Sequence, residues 1–103
     1  QLRRHAERIR TRLDAARARS VKLALGAGCT FAAEPVGLFG WVETGVDTDA
    51  LSQRMLDEGY LLAPGALFHA ERKPSTLMRI NFATTQEAAF WKTFARVRDE
   101  QAR

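Results

Sequence analysis

The stretch LMRINFA, residues 77–83, decides the fold. From Met78 to Phe82 every second residue is large and apolar, whereas Arg79 and Asn81 fill the positions between them. Because successive side chains of an extended chain point to opposite sides, this alternation predicts a β-strand with one buried face. We expect the three apolar residues to contact a layer of helices. Arg79 and Asn81 should then lie on the face that is turned away from the domain's own core.

Three segments around this strand carry helix signals. Residues 2–25 place apolar residues at helical spacing and predict a long first helix. The second helix should start at Asp47, whose carboxylate can cap the first turn, and end at Gly59. The third follows Thr84-x-x-Glu87, which has the sequence of a capping box.

The remaining short apolar runs predict the other strands. Residues 29–34 and 37–43 should form an antiparallel pair around a tight turn at 35–37. Residues 60–63 should form a short buried strand, and the polar stretch 66–76 an exposed loop.

The resulting order is helix, strand, strand, helix, short strand, strand, helix. It predicts an α+β two-layer sandwich, a small and mostly antiparallel sheet covered on one face by three helices. A length of 103 residues allows one small domain, so residues 1–103 should share a single core. The chain begins with Gln1 rather than Met, and we expect it to be a fragment of a longer protein.

The composition excludes several classes of protein. A hydrophobic content of 46% is too high for a disordered chain, and no apolar run approaches the ~20 residues of a membrane helix. The lone Cys29 excludes an internal disulfide and indicates a reducing compartment such as the cytoplasm. Two histidines leave too few ligands for a Cys/His zinc site, so we expect no metal. Neither paired carboxylates nor a phosphate-binding glycine loop nominates a catalytic residue.

Positive charge is concentrated at the N-terminus. Residues 1–22 carry eight basic and two acidic residues, whereas the rest of the chain has a net charge of −2. We interpret this segment as an amphipathic helix docked on the core, with its arginines in solvent. The alternative is a free-standing nucleic-acid-binding module that uses the basic helix. No aromatic residue is interleaved among these arginines, which disfavours a single-strand stacking platform.

Arg79 is the main candidate for a functional residue. A guanidinium in the middle of a strand presents a planar fork of donors that suits a carboxylate or a phosphate. The alternative is a surface arginine that pairs with Glu34 or Glu43 across the strands.

Glycines mark two further candidate positions. Gly40 leaves a gap beside Phe39 and Trp41, where a ligand could approach closely, or where a bulky neighbour fits. Pro64 and Gly65 either line a pocket or only turn the chain.

Four stretches together resemble a known family. They are PVGLFGW at 35–41, GVDTDALSQRMLDEGYLLAPG at 45–65, ALF at 66–68 and LMRINFA at 77–83. In this order the chain resembles the C-terminal small domain of fold-type-I pyridoxal-phosphate-dependent aminotransferases. It is most similar to the aminotransferase-like region of MocR regulators of the GntR family, an assignment favoured by LLAPGALF and the basic loop that follows. Val36 departs from the glycine that the family often has.

The resemblance implies a role for several residues. Arg79 matches the arginine that binds the α-carboxylate of an amino-acid substrate or effector, and Phe39, Pro64, Gly65 and Asn81 would line the same cleft. Lys22, Lys73 and Lys92 do not match the lysine that forms the Schiff base with pyridoxal phosphate. We therefore expect this chain to be inactive alone and not to bind the cofactor covalently.

The resemblance also implies partners and two alternative functions. The partners are the large cofactor-binding domain of the same chain, an amino-acid-like ligand, DNA through an N-terminal domain, and a second copy in a homodimer. The protein would be a transcriptional regulator or, alternatively, a metabolic aminotransferase. Cut off from the large domain, the surface formed by Leu77, Ala83, Phe39 and Trp41 should make the chain self-associate.

Overall fold

The computed structural model describes residues 2–68 and 73–103. Its elements, in chain order, are α1 (Leu2–Gly26), β1 (Thr30–Phe31), β2 (Phe39–Glu43), α2 (Thr48–Asp57), β3 (Ala63–Pro64), a short 3-10 helix (Gly65–Phe68), β4 (Leu77–Asn81) and α3 (Ala88–Ala102). The predicted order of helices and strands is confirmed.

The four strands form one antiparallel sheet in the order β1-β2-β4-β3. The longest pairing joins β2 to β4, with Phe39 opposite Asn81 and Trp41 opposite Arg79. On its other side β4 pairs with β3, where Ala63 lies opposite Arg79. Because β4 has a strand on each side, it is a central strand of the sheet.

All three helices pack on one face of the sheet, which confirms the predicted two-layer α+β sandwich. Met78 and Phe82 are fully buried and Ile80 is only 3% exposed, as the alternation predicted. The core contains these residues together with others from the sheet and from each helix, namely Val42, Ala24, Leu51, Met55, Phe90, Trp91, Phe94 and Val97.

The predicted ends of α2 are confirmed. The Asp47 carboxylate accepts a hydrogen bond from the backbone N–H of Ala50 at 3.1 Å and so caps the first turn. At the other end Gly59 has a φ of +92°, a left-handed conformation that stops the helix.

The predicted capping box at the start of α3 is wrong. The helix begins at Ala88, and the side chain of Glu87 makes no capping hydrogen bond. The hydroxyls of Thr84 and Thr85 donate instead to the carbonyl of Asn81, at 3.2 and 2.9 Å. Thr84 lies in the turn that follows β4, and the helix begins only four residues later.

The tight turn predicted at 35–37 is also wrong. Residues 32–38 form a longer connection, and β1 has only two residues. The carbonyl of Gly37 accepts a hydrogen bond from Arg17 Nη1 at 2.9 Å, and the carbonyl of Leu38 accepts one from the backbone N–H of Phe82 at 3.0 Å. These hydrogen bonds join the connection to α1 and to the residue that follows β4, in place of the hydrogen bond within the connection that a tight turn would form.

Two further predictions hold only in part. In the predicted strand at 60–63 only Ala63 pairs with β4, and the strand extends to Pro64. The predicted loop at 66–76 begins inside the 3-10 helix, where Ala66 is fully buried. Residues 69–72 of that loop lie outside the described residues.

Helix α1 is docked along only half of its length. Ala16, Ser20 and Ala24 are buried, and the Ser20 hydroxyl donates to the carbonyl of Phe82 at 2.8 Å. Ile9 lies on the same stripe but is 53% exposed, so the predicted docking on the core is found only for the C-terminal half of the helix. Among the described helices, including this long one, none has an apolar stretch that could cross a membrane.

Candidate functional site

Arg79 lies on the outer face of the sheet, as predicted. Its neighbours along β4, Met78 and Ile80, are buried on the opposite face, whereas Arg79 itself is half-buried. Trp41 on β2 and Ala63 on β3 lie beside it in the register. The pleat of β4 thus presents the guanidinium on the face that the helices leave uncovered.

Phe39 lies next to Arg79 on this face. The Cζ atom of Arg79 lies 4.5 Å from the centroid of the Phe39 ring, within the range of a cation–π contact. Phe39 is opposite Asn81 in the register, which makes it a diagonal neighbour of Arg79.

A cleft of about 350 Å³ opens beside these residues. It lies at the end of β4 that β3 does not cover, and Phe39, Arg79 and Asn81 form one side of it. The Asn81 side-chain oxygen accepts from the backbone N–H of Ala83 at 2.9 Å, so the amide nitrogen is the end that could donate to a ligand. The other lining residues are Gly59, Tyr60, Leu61, Leu62, Ala63, Ile80, Thr84, Thr85 and Phe90.

The structure does not bring Pro64 and Gly65 into this cleft. Both are buried, and the backbone N–H of Gly65 donates to the Thr48 hydroxyl at 3.3 Å. A Cβ atom at Gly65 would lie 2.5 Å from Ser75 Oγ and 2.7 Å from the Leu77 carbonyl oxygen. Close packing therefore explains this glycine without a ligand.

Close packing also explains Gly40. A Cβ atom there would lie 2.7 Å from Cζ of Phe82, whose ring belongs to the core. The glycine makes room for a bulky neighbour, and the interpretation that a ligand approaches at Gly40 is wrong.

Glu43, one of the two predicted alternative partners of Arg79, makes other hydrogen bonds. Glu43 lies opposite Leu77 in the register, and its carboxylate accepts hydrogen bonds from the Thr76 hydroxyl at 2.9 Å and the Gly45 N–H at 3.0 Å. On the opposite diagonal, Arg79 contacts the Phe39 ring.

The chain matches no family model and no curated protein. It does match solved structures. The kynurenine aminotransferase of Pyrococcus horikoshii, solved with PMP, superposes on 99% of the chain with a TM-score of 0.82 and 24% identity. The multiple substrate aminotransferase of Thermococcus profundus superposes on 98% of it with a TM-score of 0.82 and 22% identity. The fold is that of an aminotransferase small domain. The chain spans 27% of the length of each of these two structures.

A third aminotransferase has the same fold. The valine-pyruvate aminotransferase AvtA of Salmonella typhimurium superposes on 91% of the chain, with a TM-score of 0.74 and 19% identity, and the chain spans 28% of it. At these identities the likeness establishes the architecture of the small domain, and the chemistry must be argued from its residues.

Sequence reasoning missed Tyr60 as a residue of the cleft. Residues 60–63 were predicted to be a buried strand, but Tyr60 precedes β3 and its ring meets the Phe90 ring edge-on at 5.1 Å. The available signal was its place directly after Gly59. An apolar residue that follows a left-handed helix stop commonly packs near the end of that helix instead of continuing in a strand.

The buried position of Cys29 disfavours a role as a nucleophile. Burial raises the pKa of its thiol to about 11, although the nearby Arg98 guanidinium acts in the opposite direction. The sequence did not show this cation, which lies 69 positions further along the chain on α3. Because desolvation outweighs the positive charge, the thiol stays protonated at neutral pH.

Proposed function

We propose that this chain is the small domain of a pyridoxal-phosphate-dependent, aminotransferase-like protein, and that Arg79 binds the α-carboxylate of its amino-acid ligand. The observation that carries the proposal is the position of Arg79 on the uncovered face of an aminotransferase small-domain fold, at a cleft shared with Phe39 and Asn81. A guanidinium can donate two parallel hydrogen bonds to a carboxylate. The amide nitrogen of Asn81 supplies a further donor on the same side of the cleft.

The described residues do not fit covalent attachment of the cofactor. Pyridoxal phosphate supplies an aldehyde that a lysine must reach. Lys22 is on α1, Lys92 is on α3 and Lys73 precedes β4, and none of the three lines the cleft in the described part of the chain. We assign the Schiff-base lysine to a large domain of the same polypeptide, which would close over the outer face of the sheet.

The preferred assignment within this proposal is the effector domain of a MocR regulator of the GntR family. It is supported by the LLAPGALF stretch at 61–68. In that arrangement an N-terminal domain binds DNA, and the protein acts as a homodimer. A metabolic aminotransferase would use the same residues. The upstream sequence separates the two, because a winged helix-turn-helix indicates a regulator and a short N-terminal arm indicates an enzyme.

One observation favours a second candidate function. Arg4, Arg8 and Arg12 are exposed on the undocked half of α1 and are spaced by four residues, so they form one basic row. Such a row can contact phosphates of a nucleic acid. Gel-shift measurements at low salt test this function, and the absence of binding by the 103-residue chain would exclude it.

The proposed role of Arg79 is tested by Arg79→Gln in the full-length protein. Loss of a charge-assisted, bidentate contact should weaken amino-acid binding at least about tenfold. Arg12→Gln is the matched control, since it removes an exposed arginine far from the cleft. Unchanged affinity of the Arg79→Gln protein for every amino acid that the parent binds would contradict the proposal.

A further inference from the structure

The backbone that carries Phe39 is held on two sides. Two residues earlier, the Gly37 carbonyl accepts a hydrogen bond from Arg17 Nη1 at 2.9 Å, and Arg17 is itself paired with Asp14 at 2.6 Å. The next carbonyl, that of Leu38, accepts from the Phe82 N–H at 3.0 Å. The start of β2 is thus hydrogen-bonded to α1 and to the end of β4, which fixes the backbone position from which the Phe39 ring projects.

Core packing does not explain why this fixed position holds an aromatic residue. Phe39 is 44% exposed, on the face opposite the buried residues of β4. What the ring does contact is the guanidinium of Arg79, at 4.5 Å from the centroid to Cζ. The face of an exposed aromatic ring attracts a guanidinium and favours the orientation in which the two groups are in contact.

We propose that Phe39 is a positioning residue that holds the Arg79 guanidinium in the orientation in which it receives the ligand carboxylate. This inference rests on the proposed function of Arg79. A cation–π contact uses the face of the guanidinium, whereas a carboxylate binds to the N–H groups in its plane, so both contacts form together. The long arginine side chain then loses less conformational freedom when the ligand binds, which strengthens binding.

The test is a double-mutant cycle in the cofactor-loaded full-length protein. The probes are the proteinogenic L-amino acids, measured by titration calorimetry. The tightest binder is then paired with the amine that lacks its α-carboxylate. The variants are Phe39→Leu, Phe39→Tyr and Arg79→Gln, together with the combination of Phe39→Leu and Arg79→Gln. Val36→Ala is the control, since it changes a 66% exposed residue in the connection before β2.

Phe39→Leu should weaken amino-acid binding about two- to fivefold, the range of an exposed cation–π contact. Phe39→Tyr keeps the aromatic face and should bind as the parent does. In the Arg79→Gln background, and for the amine probe in either background, Phe39→Leu should have no effect, because no carboxylate contact remains to be positioned.

Two results overturn the inference while leaving the role of Arg79 in place. One is an unchanged affinity of Phe39→Leu for the amino acid that Arg79→Gln binds more weakly. The other is an equal loss for the amino acid and its amine, which would show that Phe39 only lines the cleft. If Arg79→Gln has no effect, or if none of the amino acids binds the parent, the proposed function itself fails.

Discussion

At Gly40 the sheet lacks a side chain because the Phe82 ring occupies that space. The two residues are adjacent on the core face of the fold but 42 positions apart in the chain. The sequence showed that a glycine stood between two aromatic residues, and this is compatible with a ligand gap as well as with a buried ring. The alternation of β4 could be predicted because it depends on neighbouring residues alone.

Gly40→Ala should destabilise the 103-residue chain by about 1–3 kcal/mol, the usual effect of overpacking a core. The added Cβ meets the buried Phe82 ring at 2.7 Å, where the ring has no room to move. Gly26→Ala is the control, since no atom beyond its chain neighbours and the adjacent helix backbone lies within 4 Å of its Cβ position. Chemical denaturation measures both, and equal stabilities of the two variants would contradict the packing argument.

The Cys29 thiol should make stability depend on alkaline pH. Its folded-state pKa is raised from 9.0 to about 11, so above pH 9 the unfolded chain loses the proton that the folded chain retains. This contribution to stability is complete below pH 9 and is lost as the pH rises to about 11, with a slope of at most about 1.4 kcal/mol per pH unit. The free-energy difference between the parent and Cys29→Ala, followed by denaturation from pH 8 upward, should shrink over that range. A constant difference would show that the thiol is not held protonated.

At the scale of single elements, two helix starts with similar sequence signals had different outcomes. Asp47 caps α2 as predicted, whereas Thr84 and Glu87 do not form a capping box. In the second case Thr84 lies in the turn after β4, where its hydroxyl donates to the Asn81 carbonyl, and the helix begins four residues further on. A local motif predicts a cap only where the preceding element lets the helix begin directly after the capping residue.

Asp47→Ala should therefore lower the unfolding free energy by about 1 kcal/mol, the usual value of a lost N-cap. Glu87→Ala should change it by no more than about 0.5 kcal/mol, as expected for an exposed residue that makes no capping bond. Thermal denaturation of the two variants decides between them. A larger effect at Glu87 than at Asp47 would contradict the assignment of the two caps.

At the scale of the whole molecule, one end of α1 extends beyond the core. The domain measures 51 × 32 × 23 Å, and the apolar stripe of α1 continues past Ala16 to the exposed Ile9. The sequence predicted the apolar stripe, but the spacing of its residues does not indicate how far along α1 the core extends. Prediction of the cleft is limited in the same way. The positions of Arg79 and Asn81 follow from the alternation of β4, whereas the position of Tyr60 depends on the path of the chain after α2.

The uncovered outer face should make the 103-residue chain self-associate at high concentration. Phe39 is 44% exposed, and Leu61, which also lines the cleft, is 86% exposed. Light scattering should show a mass above that of a monomer, and Leu61→Asp should shift it toward the monomer. A strictly monomeric chain at high concentration would contradict the prediction that the exposed apolar residues of this face drive self-association.

The most direct measurement of the central claim is a crystal structure of the full-length protein with an amino acid bound. We predict that both carboxylate oxygens of the ligand lie about 2.7–3.2 Å from guanidinium nitrogens of Arg79. A ligand whose carboxylate is bound by other residues, with Arg79 beyond hydrogen-bond distance, would contradict the account.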